Sequence, residues 1–460
     1  MLEAAGKRRV FLVGGPIRDS FLNRDFNDID LTVEGEAVDV ARTFASRVGG
    51  KFVPLDLELD ESRVVAGDYT YDFSGFPEGR LLADLERRDF TINSIAIDLR
   101  GLIDEKGEFI DPFDGLIDLQ KEVLRCTAGS AFKEDPLRVL RAFRFAAQLG
   151  FTIEQGTMDA ARKDRNLLKE VAAERICYEI MLTFSQSDSF GSLSMMADTS
   201  VLCTIFPQLE RTRGVAQNKL HPLDVFGHSL KTYGQMEEVV KSLEERPFAG
   251  HAPLVNEYLS SAPRKSALLK MSALLHDIAK PETIQPGEDQ RLHFYGHDRT
   301  GADRAEEFAL AVLRMSRKDA KTLFLLIKNH MWPHLLAGQG EITERAMRKF
   351  FRELEDEAIG VLLLAWADSL ASVGPEESSE ALSAAIERLL RFHTERREEV
   401  VLPPLITGRD LIDMLGLTPG PIFGKILKEV EREREKWRVQ TRNDAIEIAR
   451  RVAERWEESG

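Results

Sequence analysis

The apolar period of this chain changes once, near Phe132, and that change limits the folds open to it. Before Phe132, strand-like and helical spacings alternate. Arg9–Val13 is an apolar run, Pro16–Asn23 has helical spacing, Asp28–Val33 alternates, and Ala37–Val48 is helical again. Arg63–Val65 and Tyr69–Phe73 read as further strands, followed by a helix from Leu81. After Phe132 the period stays helical. Gly and Pro interrupt it near Gly150, Pro207–Arg213, Pro247–Pro263, Pro281–Glu288, Gly338–Gly340, Gly374-Pro375 and Pro403-Pro404. At 460 residues the chain exceeds a single hydrophobic core. The expectation is an α+β protein with an α/β domain over 1–127 and helical segments over 128–211, 212–400 and 401–460.

Composition excludes little beyond a membrane protein. No apolar run approaches a bilayer span, and the one after Lys7-Arg8-Arg9 is only strand-sized, so the cytoplasm is the expected location. Cys126, Cys177 and Cys203 lie far apart without zinc-site spacing, which predicts buried free thiols. The net charge of −15 argues mildly against nucleic-acid binding, but local charge decides that question. The charge run 429–438 alternates in sign and reads as a solvated helix face.

Three constellations carry chemistry. In the first, Phe11-Leu-Val-Gly-Gly-Pro-Ile-Arg-Asp-Ser20 ends a strand in two glycines and opens a helix, which leaves backbone N–H groups free for an anion. Asp28-Ile29-Asp30 follows in an extended segment, where residues two apart share a face and can grip the same divalent ions. Such ions lower the pKa of an attacking hydroxyl and neutralise a leaving pyrophosphate. Asp72 is the candidate third carboxylate. An Asp-x-Asp alone is common on surface strands, and Gly-Gly alone marks a turn. Together, in strand-turn-helix-strand order, they are far more specific.

Gly14-Gly15, Arg18, Asp28 and Asp30 resemble the signature of the nucleotidyltransferase superfamily. Arg87-Arg88-Asp89-Phe-Thr-Ile-Asn93 resembles the Arg-Arg-Asp motif of the bacterial class II tRNA nucleotidyltransferase and poly(A) polymerase family, and Asp111-Pro-Phe-Asp-Gly-Leu-Ile-Asp-Leu119 its next motif. The resemblance covers roughly residues 9 to 155. It implies a Mg²⁺-dependent catalytic head on Asp28, Asp30 and Asp72. Nucleotide contacts would come from Gly14, Gly15, Arg18, Arg87, Arg88, Asp89 and Asn93, with CTP, ATP and the 3′ end of tRNA as partners.

The second constellation is Glu134-Asp-Pro-Leu-Arg-Val-Leu-Arg-Ala-Phe-Arg144, which reads as a helix start with acids and a proline in its first turn. Asp135, Arg138, Arg141 and Arg144 then recur every three residues as a drifting polar stripe. An ordinary amphipathic helix with a basic face is the plainer alternative. The stripe resembles the family's Glu-Asp-x-x-Arg motif, in which the acid and the arginine replace a template base. Cytosine and adenine each present an amino donor beside a ring-nitrogen acceptor, so a carboxylate with a guanidinium pairs with both and rejects uracil and guanine. The resemblance assigns base reading to Asp135 and Arg138 and the same pocket to Arg141 and Arg144.

The third constellation is a crowd of histidines between His221 and His334. His228, Leu275-His276-Asp277-Ile-Ala-Lys280, His293-Phe-Tyr-Gly-His297, Lys328-Asn-His330 and Ala367-Asp368 resemble the HD domain. The resemblance implies a metal site of His228, His276, Asp277, His297, His330 and Asp368, suited to Mn²⁺, Ni²⁺, Fe²⁺ or Mg²⁺ and to phosphoester hydrolysis. A domain kept only as an RNA-binding scaffold is the alternative. His221, His251, His334 and His393 read as structural or surface residues. The segment Leu402–Leu411, with Leu415–Pro421 and a closing charged helix, resembles the RNA-contacting end of many members.

The leading expectation is therefore a template-independent enzyme adding C, A or both to tRNA. The short segment Gly75-Phe-Pro-Glu-Gly-Arg80 stands where complete CCA-adding members usually carry a longer loop, and the resemblance associates its shortening with members that stop after CC; A-only addition is a further alternative. A poly(A) polymerase and an HD phosphohydrolase whose first domain only binds nucleotide are the other readings.

Overall fold

The computed structural model describes residues 1–217, 223–286, 292–372, 376–400, 404–435, 439 and 441–457. His221, residues 402 and 403, and residues 436–438 at the end of the charge run lie outside the described residues.

The head is built on seven strands: β1 (Val10–Val13), β2 (Asp28–Val33), β3 (Lys51–Asp56), β4 (Glu61–Ala66), β5 (Tyr69–Gly75), β6 (Ala96–Asp98) and β7 (Phe109–Ile110). Their order is β3-β4-β5-β2-β1-β6-β7. β2 and β5 run parallel, and the other pairings are antiparallel. The period of two sorts each strand onto two faces. Leu31, Val33, Val64 and Phe73 pack against Val40, Ala41 and Phe44 of the helix Ala37–Val48. Asp28, Asp30, Asp72, Arg63 and Glu61 alternate with these residues, so their side chains project from the opposite face.

Sequence periodicity did not predict β3, β6 and β7. β3 is an edge strand with Pro54 inside it and mostly exposed side chains, so it carries no alternation to detect. The connection Gly75–Arg80 contains a short 3-10 turn, Pro77–Gly79, before the helix Leu81–Glu86. Asp60 braces its base. The Asp60 carboxylate accepts from Ala37 N and Val38 N at 2.7 and 2.9 Å, and its carbonyl accepts from Gly75 N at 3.2 Å. A Cβ on Gly75 would lie 2.5 Å from Asp60 Oδ2, so a side chain here would push the Asp60 carboxylate off its two backbone donors.

From Ala131 onward the structure is almost entirely helical. Arg138–Leu149 and Ala173–Phe184 pack together in the neck, and the HD bundle contains Val225–Lys241, Lys265–Leu275, His297–Ala311, Arg317–Asn329 and Ala358–Ala371. One apolar core runs from Ile17 and Phe90 in the head through Phe143 and Ile180 to Leu268 and Ile327 in the bundle. The helices Gly408–Leu415, Pro421–Glu435 and Arg442–Glu457 form a separate core around Leu411, Ile426 and Ala449. The three cysteines are free, but only Cys177 is buried; Cys126 and Cys203 are half-buried, and burial pushes their thiols up to about 12 and about 11.

Candidate active site and metal centre

The sheet register brings the head residues together. Asp30 on β2 and Asp72 on β5 are direct partners, and Asp72 faces Arg63 on β4. Gly14 adopts φ +70°, and a Cβ there would lie 2.8 Å from Arg88 Nη1 and 3.3 Å from Asp30 Oδ2. Glycine is thus what lets the β1 turn approach both the carboxylate and the guanidinium. Burial raises the Asp30 carboxyl above its ordinary pKa, against the pull of Arg88, and the nearby Asp72 and Asp28 charges add to the rise. Two carboxylates crowded on one half-buried face have the donor set that a divalent cation relieves. Asp72 is differently placed: Arg63 Nε and Nη2 donate to its two oxygens at 2.7 and 2.8 Å.

Arg88 is held by Asp84, four residues earlier, at 3.1 Å from Nε. Arg87 is joined to the neck through its carbonyl, which accepts from Arg138 Nη2. Beneath them runs a polar chain. Arg18 Nη1 donates to Asn93 Oδ1 at 2.8 Å, and Asn93 Nδ2 donates to Asp89 Oδ1 at 2.9 Å. Arg141 donates twice to Asp89 Oδ2, and Arg144 Nε donates to Glu179 at 2.6 Å. The Phe145 ring lies within 5.3 Å of the guanidinium carbons of Arg18, Arg141 and Arg144. A cavity of about 530 Å³ opens beside this framework, lined among others by Glu61, Asp84, Arg87, Arg88 and Arg138.

The stripe expected at 135–144 is not one helix. Asp135 is extended, with φ −139° and ψ 100°, between the short helix Ala131–Glu134 and the helix that starts at Arg138. Pro136 is the cause, because the residue before a proline is pushed out of helical conformation. Asp135 Oδ2 accepts from Arg175 Nη2 at 3.0 Å, and Arg138 Nη1 donates to Ala131 O at 3.2 Å. Arg144 is buried in its pair with Glu179. Asp84, Arg63, Phe145 and Glu179 were missed from sequence. Only Asp84 left a signal, its four-residue spacing from Arg88.

The HD residues converge from five helical segments. His228 Nε2 lies 2.9 Å from Asp368 Oδ1, and His276 Nε2 lies 3.2 Å from Asp277 Oδ2 and 3.6 Å from Asp368 Oδ1. His297 Nε2 sits 3.4 Å from both Asp277 Oδ1 and His330 Nε2. His276, His297 and His330 each pair Nδ1 with the carbonyl three residues earlier, which turns Nε2 inward. Metal-binding imidazoles are oriented by such outer partners. His276 Nε2 and both Asp277 oxygens are buried without an aligned hydrogen-bond partner. Among the described residues, His228, His276 and Asp368, and likewise His276, Asp277 and His330, bring ligand atoms within 4.8 Å of one another. This donor set fits a divalent metal. Lys280 Nζ lies 2.6 Å from Asp277 Oδ2.

His334, read as structural or surface, places its Nε2 3.5 Å from Asp368 Oδ2, at the edge of the cluster. Its four-residue spacing from His330 was the available signal. His251 faces Thr394, and His393 stacks on Phe351. His293 stacks on Tyr295.

Residues 10–125 match the poly A polymerase head domain, 150–212 a probable RNA- and SrmB-binding site of polymerase A, and 225–373 the HD domain. The A-adding tRNA nucleotidyltransferase of Deinococcus radiodurans is 32% identical over 452 residues, covering 96% of this chain and 95% of that protein. The chain belongs to the tRNA nucleotidyltransferase family. Another family member, the CC-adding tRNA nucleotidyltransferase of Geobacter sulfurreducens, is 29% identical, covering 95% of this chain and 90% of that protein. In fold, the chain matches the Thermotoga maritima CCA-adding enzyme complexed with tRNA at a TM-score of 0.60, with 21% identity and 98% and 92% of the two chains covered. As a tRNA nucleotidyltransferase the chain is an enzyme, and no helix among its described residues is long and apolar enough to cross a membrane.

Proposed function

We propose that this enzyme adds C, A or both to the 3′ end of tRNA from CTP and ATP, and that it completes only part of the CCA end. The observation that carries the transferase reading is the convergence of Gly14, Asp30 and Arg88 on one sheet face. Asp28 and Asp30 would hold Mg²⁺, which when bound makes the 3′-hydroxyl more acidic and offsets charge on the leaving pyrophosphate. Arg88, oriented by Asp84, binds phosphate and ribose, and Arg18, Asn93 and Asp89 support the turn that carries it. Asp135 accepts from the base amino group and Arg138 donates to the ring nitrogen, with Arg141 and Arg144 buttressing the pocket.

Partial addition is favoured by the six-residue connection Gly75–Arg80, braced at Asp60, and by full-length similarity to A-adding and CC-adding relatives. The test is product sequencing on tRNAs ending before C, after C and after CC. Synthesis of complete CCA on the first substrate would refute partial addition, and no extension of any would refute the transferase.

A second reading is carried by the largely buried convergence of His228, His276, Asp277, His330 and Asp368, whose ligand atoms lie within 4.8 Å of one another in two groups of three. The HD site holds Mn²⁺, Ni²⁺, Fe²⁺ or Mg²⁺ through His228, His276, Asp277, His297, His330 and Asp368 and hydrolyses phosphoesters. In this scheme residues 1–127 are the catalytic head, 128–211 the nucleotide-reading neck, 212–400 the HD domain and 401–460 an RNA-contacting tail, in a cytoplasmic protein.

A further inference from the structure

Two cations bracket the carboxylate row of the head. Arg88 stands at the Asp30 end, beside the Gly14 turn, and Arg63 stands at the Asp72 end, one strand further out on β4. The Arg63 guanidinium grips both Asp72 oxygens, and that ion pair, with the negative charges of Asp28 and Asp30, holds Arg63 firmly protonated. A cation that draws on Asp72 therefore competes with Arg63 for its two oxygens. The pair is open to such exchange, because the Arg63 side chain is 43% exposed and that of Asp72 is 32% exposed, and exposed pairs contribute little net stability.

The geometry of transfer says where a displaced Arg63 would go. Attacking and leaving oxygens lie roughly in line, so the primer and the pyrophosphate occupy opposite sides of the reacting phosphorus. With Arg88 serving the triphosphate, the Asp72 end of the row is the primer side, and Arg63 is the cation that stands there. We propose that Arg63 is a latch: in the free enzyme it keeps Asp72 from the metal, and once a divalent cation takes Asp72 it turns to a phosphodiester of the incoming RNA 3′ end. Arg63 is then a positioning residue that makes completion of the metal site and binding of the primer favour each other. The inference rests on the transferase reading above.

The test uses the full chain and Arg63→Gln. Without tRNA or nucleotide, Mn²⁺ titration followed by electron paramagnetic resonance should show the variant binding at the head about three- to fivefold more tightly, the scale of an exposed ion pair. Both proteins carry the His276→Ala and Asp277→Ala changes, so that the HD site does not contribute. Adding Asp72→Asn should abolish the gain. In steady state, Arg63→Gln should raise KM for truncated tRNA about tenfold, the scale of one lost hydrogen bond to a charged phosphate, while leaving KM for CTP and ATP unchanged, which also reports an intact fold. Arg63→Lys, which keeps the charge, should restore most of the tRNA KM. Wild-type Mn²⁺ affinity or wild-type tRNA KM in Arg63→Gln overturns the latch. A wild-type chain that extends no tRNA overturns the transferase reading instead, and the Mn²⁺ arm still decides whether Arg63 competes for Asp72.

Discussion

Asp89 accepts from both Nε and Nη2 of Arg141, at 2.8 and 2.6 Å, and so ties the Arg-Arg-Asp turn of the head to a neck helix 52 residues away. Arg141→Ala leaves Asp89 buried without its main counter-charge and should destabilise the protein by about 2–3 kcal/mol, toward the low end for a buried pair because Arg141 is partly exposed. Burial alone would raise the Asp89 carboxyl, but Arg141 and Asn93 outweigh it and hold the pKa below the ordinary range. The sign follows: this stabilisation is complete above about pH 4 and is lost as pH falls through the lower folded value. Urea unfolding of wild type and Asp89→Asn should show a gap at pH 7 that closes in acid.

Asp28→Ala and Asp30→Ala should each abolish nucleotide incorporation while leaving the circular dichroism spectrum unchanged, because both residues act through metal rather than packing. Normal incorporation by both variants at ordinary Mg²⁺ concentrations would remove them from the site.

Asp135→Ala should weaken discrimination against UTP and GTP as well as slow CTP and ATP addition, with a loss of about 1–3 kcal/mol, or roughly 5- to 150-fold. Arg88→Ala should slow all four nucleotides alike, since ribose and phosphate carry no base information. The comparison is made with steady-state rates for each triphosphate on one truncated tRNA. Equal losses across all four in Asp135→Ala would move base reading elsewhere, with Arg175, the present partner of Asp135, as the next residue to vary.

His276→Ala combined with Asp277→Ala should remove bound transition metal and any phosphodiesterase activity but spare nucleotide addition. Metal analysis by mass spectrometry and the two activity assays on one preparation provide the check. Joint loss of both activities in a folded protein would show that the two sites depend on each other.

What sequence could reveal follows the range of the interactions involved. The α+β class was legible because a period of two gives way to helical spacing at Phe132, a local pattern. The Gly-Gly, Asp-x-Asp, Arg-Arg-Asp and His-Asp groups were legible because each is short. β3 was hidden by Pro54 and its exposed edge position, and the break at Asp135 followed from Pro136, a rule available in the sequence but outweighed by the arginine spacing. Arg63 against Asp72 depends on strand register, and Glu179 against Arg144 on helix packing across 35 residues, so neither pairing leaves a motif. His334 lay within reach of sequence reasoning, one helical turn from His330, but reaches the cluster only because Asp368 arrives from another helix.

The unbroken apolar core from Ile17 to Ile327 has a consequence for anyone who wishes to recombine this enzyme with its relatives. A chimera joined between neck and HD bundle, near Thr212, cuts through side chains that pack on one another from both sides of the junction, so the two donors must bring matching surfaces. Among the described residues, a junction just before Leu405 cuts no such core, because the helices beyond it, with Leu405 itself, pack around Leu411, Ile426 and Ala449. By its packing the molecule is divisible there, and the exchangeable part is the C-terminal one.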